Sequence, residues 1–96
     1  MNNEEIKIFI QRRRLQVLIH SCIYYELNES IISDNTWSKW ALELETLQKQ
    51  YPEISEQVIY AKAFKDFDHS TGCNLPLKDP WVMTKAKWLL NISRKD

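Results

Sequence analysis

The chain has 96 residues, thirteen of them basic and thirteen acidic, so its formal charge is zero. No global field draws in nucleic acid or an anionic membrane, and only local basic patches are left for a nucleic-acid contact. One glycine and three prolines argue against a turn-rich all-β fold, and four tryptophans, four tyrosines and three phenylalanines supply the apolar area that a small core needs.

The predicted fold is all-α: one helical domain over 1–96, with four helices. The first two form an antiparallel hairpin and the last packs across both. The first helix runs from about Asn3 to Leu27, with Glu4 and Glu5 opposing the positive end of its dipole. Ile6, Ile10, Val17 and Tyr24 follow helical spacing, interrupted by Arg13 or Arg14, and Leu15, Leu18, Cys22 and Tyr25 form an adjacent stripe. Asn28-Glu29-Ser30 is a turn, and Ser33 or Asp34 is the N-cap of a second helix over about Asp34 to Gln50. Trp40, Leu44, Leu47 and Tyr51 share one face of that helix, widened by Trp37 and Ala41. Pro52 ends it and suits the first turn of a third helix, expected over Glu53 to about Phe64 with Ile54, Val58 and Ala61 inward. A loop follows from roughly Lys65 to Lys78. It holds Gly72, where a left-handed turn is expected. Asp79-Pro80 caps and opens a strongly apolar last helix, with Arg94 and Lys95 at its negative end.

The stretch from His20 to Glu53 resembles the small helical segment at the N-terminus of NAD-dependent DNA ligases. That family segment is a helix ending in an aromatic-histidine pair, a turn with a hydrophobic residue and an aspartate, and a helix opening Asp-x-x-Tyr-Asp. Laid on it without gaps, Tyr24 matches the aromatic residue and Asp34 the first aspartate. Tyr25 stands in place of the histidine, Trp37 in place of the tyrosine and Ser38 in place of the second aspartate. His20, Leu27, Ile32, Leu44, Leu47, Pro52 and Glu53 fit the scaffold, and the likeness covers about residues 15–53, leaving 54–96 unshared. The resemblance implies that Tyr24, Tyr25, Asp34 and Trp37 line a site for the nicotinamide mononucleotide half of NAD. On the bare pattern Asp34 is first a helix cap, and Tyr24 and Trp37 are more often core residues than ligand platforms.

Ligation also needs a nucleophilic lysine in a Lys-x-Asp-Gly motif, and Lys65-Asp66-Phe67-Asp68 does not fit it. The chain is therefore expected not to be an enzyme, with no catalytic residue, no metal and no required cofactor. Asp66 to Gly72 suggests a calcium loop only until counted, since the sixth and twelfth positions hold Thr71 and Leu77 rather than glycine and glutamate. His20 and Cys22, two apart on a helix, do not share a face. Arg12, Arg13 and Arg14 sweep about 200° of a helix. They read first as a solvated belt, and functionally as contacts for an acidic partner or a phosphate backbone. Asp66, Asp68 and His69 join them as candidate partner contacts.

Small free-standing proteins resembling this segment look like phage or mobile-element products. That likeness implies an accessory protein that binds and modulates a host or phage macromolecule, a counter-defence inhibitor of a nuclease among them. A nicotinamide mononucleotide or NAD-binding module, or an auxiliary domain for NAD-dependent DNA ligation, is the alternative. A protein partner is expected, a homodimer is compatible with the surplus of aromatic residues, and no membrane partner is expected. Two cysteines without metal-type spacing, and no apolar leader after Met1, point to a cytoplasmic protein.

Overall fold

The computed structural model describes residues 1–70 and 72–94, so Thr71 and the expected helix-terminal cation Lys95 lie outside the described residues. Four helices form and no strand is found among the described residues: α1 Asn3–Glu26, α2 Asp34–Gln50, α3 Pro52–Ser55 and α4 Pro80–Ser93.

α1 is the central element and runs unbroken through its arginines. Asn2 caps it, accepting the Glu5 N–H at 2.9 Å. It packs against α2, α3 and α4 in turn, which is why its apolar residues are spread around the helix rather than gathered in one stripe. At its end Asn28 takes a left-handed conformation (φ 55°), and the Glu29 N–H reaches back to the Ile23 carbonyl at 3.1 Å. Asparagine tolerates that geometry better than most residues.

α1 and α2 run antiparallel. Ser21 meets Trp37, His20 meets Trp40, Arg13 meets Glu43 and Arg14 meets Gln48, so one helix number rises as its partner falls. Ser33 caps α2 by accepting the Thr36 N–H at 3.1 Å. Of the two caps foreseen, the serine serves, and Asp34 becomes the first helical residue.

Beyond Pro52 the structure departs from expectation. The third helix stops at Ser55 rather than continuing to Phe64, and turns fill 56–66. The reason lies 44 residues away: the guanidinium of Arg14 donates to the carbonyls of Val58 and Ile59, both at 3.1 Å. Those carbonyls face the arginine rather than a helical ladder. Tyr60, next in line, stands at φ 63°, a conformation that breaks a helix and is uncommon for a bulky residue. Its hydroxyl lies 3.5 Å from the Asp79 carboxylate, which also caps α4 by accepting the Val82 N–H at 3.2 Å.

The segment leading to α4 is anchored by Phe64, Leu75 and Leu77, all in the core. Cys22 is buried beneath it and donates its thiol to the Leu77 carbonyl at 3.2 Å, while Cys73 is exposed. α4 packs Val82, Ala86 and Leu90 inward, and Arg94 at its end pairs with Glu29. It lies against α1 and makes no close approach to α2, so it does not cross both helices of the hairpin as expected. No helix among the described residues is long and apolar enough to cross a membrane.

Candidate functional site

The end of α1, the turn after it and the start of α2 enclose a groove. His20, Ser21, Tyr24 and Tyr25 come from α1, where residues four apart share a face. Ser30 to Ser33 form the rim, and Asp34, Trp37 and Ser38 come from the first turns of α2. Ser70 closes the side from the distant loop. The cavity measures about 230 Å³.

Each wall has a local cause. Tyr24 and Tyr25 are 55% and 40% exposed, with rings edge to face at 5.0 Å and 89°, so neither belongs to the core. Trp37 is half-buried and donates its indole N–H to Ser21 Oγ at 3.0 Å. What it offers a ligand is ring surface rather than a donor. Asp34 is exposed, and its carboxylate makes no hydrogen bond or ion pair with another described residue, the capping duty having gone to Ser33. The four residues that the ligase likeness singles out thus line one groove.

Eight lining residues were not among the expected site: Ser21, Ser30, Ile31, Ser33 and Ser70, His20 and Ile32, noted only as scaffold, and Ser38, matched in the pattern but not assigned to the site. Ser70 is brought in by tertiary packing and carries no local signal. His20 stacks at 5.5 Å on Trp40, and its buried Nδ1 has no hydrogen-bond partner among the described residues. Burial pushes its pKa below the ordinary 6.5. Beneath the groove lies Gly72. A Cβ there would stand 2.4 Å from Ser21 Oγ, 3.0 Å from Ser21 Cβ and 3.1 Å from Trp37 Cζ2. Glycine is needed here for close approach.

The six expected partner contacts do not gather into one surface. Arg14 is 1% exposed, donating to Gln48 Oε1 at 2.8 Å as well as to the two carbonyls, and burial pushes its pKa down to about 10. It belongs to the core and leaves the partner list. Arg13 is committed to Glu43 at 2.8 Å and Gln16 at 2.6 Å, with its guanidinium over Phe9 and Trp40. Arg12 alone of the three is exposed. Neither a solvated belt nor a phosphate clamp results, because α1 is enclosed on the side that Arg14 faces. In the loop Asp66 is exposed. Asp68 accepts from the Ser70 N–H at 2.8 Å and from its hydroxyl, which hold the carboxyl below its usual range. His69 binds Glu45 through its backbone N–H at 2.9 Å and its ring at 3.2 Å, and these bonds lower the Glu45 pKa. The loop is thereby docked on α2. Among the described residues no three His, Cys, Asp or Glu side chains converge in a way that would hold a metal ion.

No known family profile matches the chain, and no solved structure resembles it closely enough to count. Among curated proteins it is similar to a DNA ligase of Coprothermobacter proteolyticus, with 43% identity over 54 residues. The match covers 56% of this chain and 8% of the ligase, so the chain spans a small fraction of its relative's length. A groove framed by two helices thus sits in a chain that carries a segment related to a DNA ligase.

Proposed function

We propose that the chain is a non-catalytic module that binds the nicotinamide mononucleotide half of NAD, built on the hairpin of an NAD-dependent ligase. One observation carries the reading: Tyr24, Tyr25, Asp34 and Trp37, chosen by their positions in the ligase pattern, meet around one open groove. Aromatic faces suit a flat ring, and a carboxylate suits ribose hydroxyls, an amide or a positive ring nitrogen. The volume of 230 Å³ falls below the roughly 300–1,000 Å³ of well-formed ligand pockets, so affinity should be weak, near millimolar. Titration of nicotinamide mononucleotide followed by nuclear magnetic resonance tests the idea. Shifts should concentrate on Tyr24, Tyr25 and the Trp37 indole and should weaken at least about threefold in Asp34→Ala. An unperturbed spectrum up to about 10 mM ligand, or an equal response in the variant, would sink it.

A second reading has its own observation. α4 exposes Trp81 and Trp88, 44% and 59% accessible, along one stripe with Ile92. The ammonium of Lys85 lies 5.8 and 5.6 Å from the two indole rings. Exposed tryptophans are enriched at protein interfaces. An accessory protein docking a macromolecule through α4 accommodates the phage, nuclease-inhibitor and homodimer readings. We rank it second because α4 lies outside the hairpin that carries the ligase likeness and names no partner.

A further inference from the structure

The lining of the groove carries a single formal charge. Of its described residues Asp34 is the one acid, and none is a lysine or arginine. Burial lowers the His20 pKa and so disfavours its charged form. Three aromatic side chains, Tyr24, Tyr25 and Trp37, are part of the remaining lining. A phosphate group therefore finds no cation here, and the neighbouring charge is negative.

The N-terminus of α2 is the one feature that would attract an anion, because its first N–H groups point outward. One of those groups is already engaged, and the charge beside them is negative. Ser33 Oγ takes the Thr36 N–H at 3.1 Å, and Asp34 sets a carboxylate in the first turn. The cavity of 230 Å³ takes a ring and part of a sugar, leaving the rest of a nucleotide in solvent.

We propose, resting on the nicotinamide reading above, that the groove selects a flat cationic ring and discriminates against phosphate. Its ligand class is the N-alkylated pyridinium carboxamide, and the phosphate-free nicotinamide riboside binds at least as tightly as the mononucleotide. The cation gains from the ring faces of Tyr24, Tyr25 and Trp37 and from the carboxylate of Asp34. The phosphate of the mononucleotide gains nothing and is repelled by Asp34. The first effect favours the cation by about threefold or more at an exposed aromatic site, and added salt weakens the contribution of Asp34.

Four probes separate the terms: nicotinamide, 1-methylnicotinamide, nicotinamide riboside and nicotinamide mononucleotide, each titrated into the full chain by nuclear magnetic resonance. The expected result is 1-methylnicotinamide about threefold or more tighter than nicotinamide, riboside equal to or tighter than mononucleotide, and a reduced cation preference in Asp34→Asn. Equal binding of nicotinamide and its methylated cation overturns the inference. So does mononucleotide binding about threefold tighter than riboside, and that outcome leaves the nicotinamide function standing. Silence from all four probes overturns both.

Discussion

Between residues 3 and 50 the backbone satisfies itself through two capped helices, joined by a turn that an asparagine and two serines define. Among the described residues between 56 and 79 no helix forms, and the chain is held from outside by side chains of the hairpin. Arg14 takes two of its carbonyls, and the Gln48 amide takes that of Phe64 at 3.0 Å. Glu45 holds His69, and Cys22 holds Leu77. The first region is determined by near neighbours in sequence, the second by residues up to 55 positions away. The groove lies on the first region, with one wall borrowed from the second.

Removing Arg14 breaks this relation most severely. Arg14→Ala strips three acceptors of their donor and leaves a buried void, at a cost of about 3 kcal/mol. The melting temperature followed by circular dichroism should drop by more than about 10 °C. Amide exchange should rise first across 56–79, with α1 and α2 protected longer. A loss of less than about 1 kcal/mol, or uniform exchange, would show that the second region holds itself.

Gly72→Ala has the next largest effect, because it drives the borrowed wall into the groove. The added methyl collides with Ser21, a short buried side chain with little room to yield. The expected destabilisation is about 1–3 kcal/mol, with a shifted Trp37 indole resonance and weaker nicotinamide binding. Adding Ser21→Ala removes the nearest atom and should recover part of the stability. If Gly72→Ala binds as well as the parent protein, the loop does not shape the groove.

The smallest effect is a pH dependence confined to the hairpin. The His20 imidazole has a lowered pKa, so the unfolded chain takes up its proton first as the pH falls. Stability should therefore decline from about pH 6.5 downward and level off below the folded-state value. His20→Phe should remove that part of the profile when denaturant midpoints are compared across pH. Further acid loss belongs to Glu45 and Asp68, whose pKa values are lowered beneath the ordinary 4.5 and 3.8. Identical profiles for both proteins would exclude His20 as the source.

The same division explains what was legible in the sequence. α1, α2 and α4 are marked by local signals: acidic first turns, Ser33 as a cap, Pro52 as a stop and Asp79-Pro80 as a start. The groove residues Tyr24, Tyr25, Asp34 and Trp37 cluster at the hairpin's bend, so the hairpin alone brings them together. The fate of Arg14 could not be read from charge, which places arginines in water. Its spacing was the usable signal, because Arg14 is four residues from both Ile10 and Leu18, in the middle of a buried row. The length of α3, the role of Gly72 and the arrival of Ser70 depend on contacts that no local pattern encodes.

The two cysteines give this architecture a built-in asymmetry toward thiol reagents. Burial first, then the neighbouring carboxylate of Glu26, raises the pKa of Cys22 and keeps it in the unreactive protonated form. Cys73 stands exposed beside Gly72, next to the groove's borrowed wall. Brief alkylation of the folded protein will therefore favour one position, and a fluorophore attached there would report on the groove while the interior stays untouched.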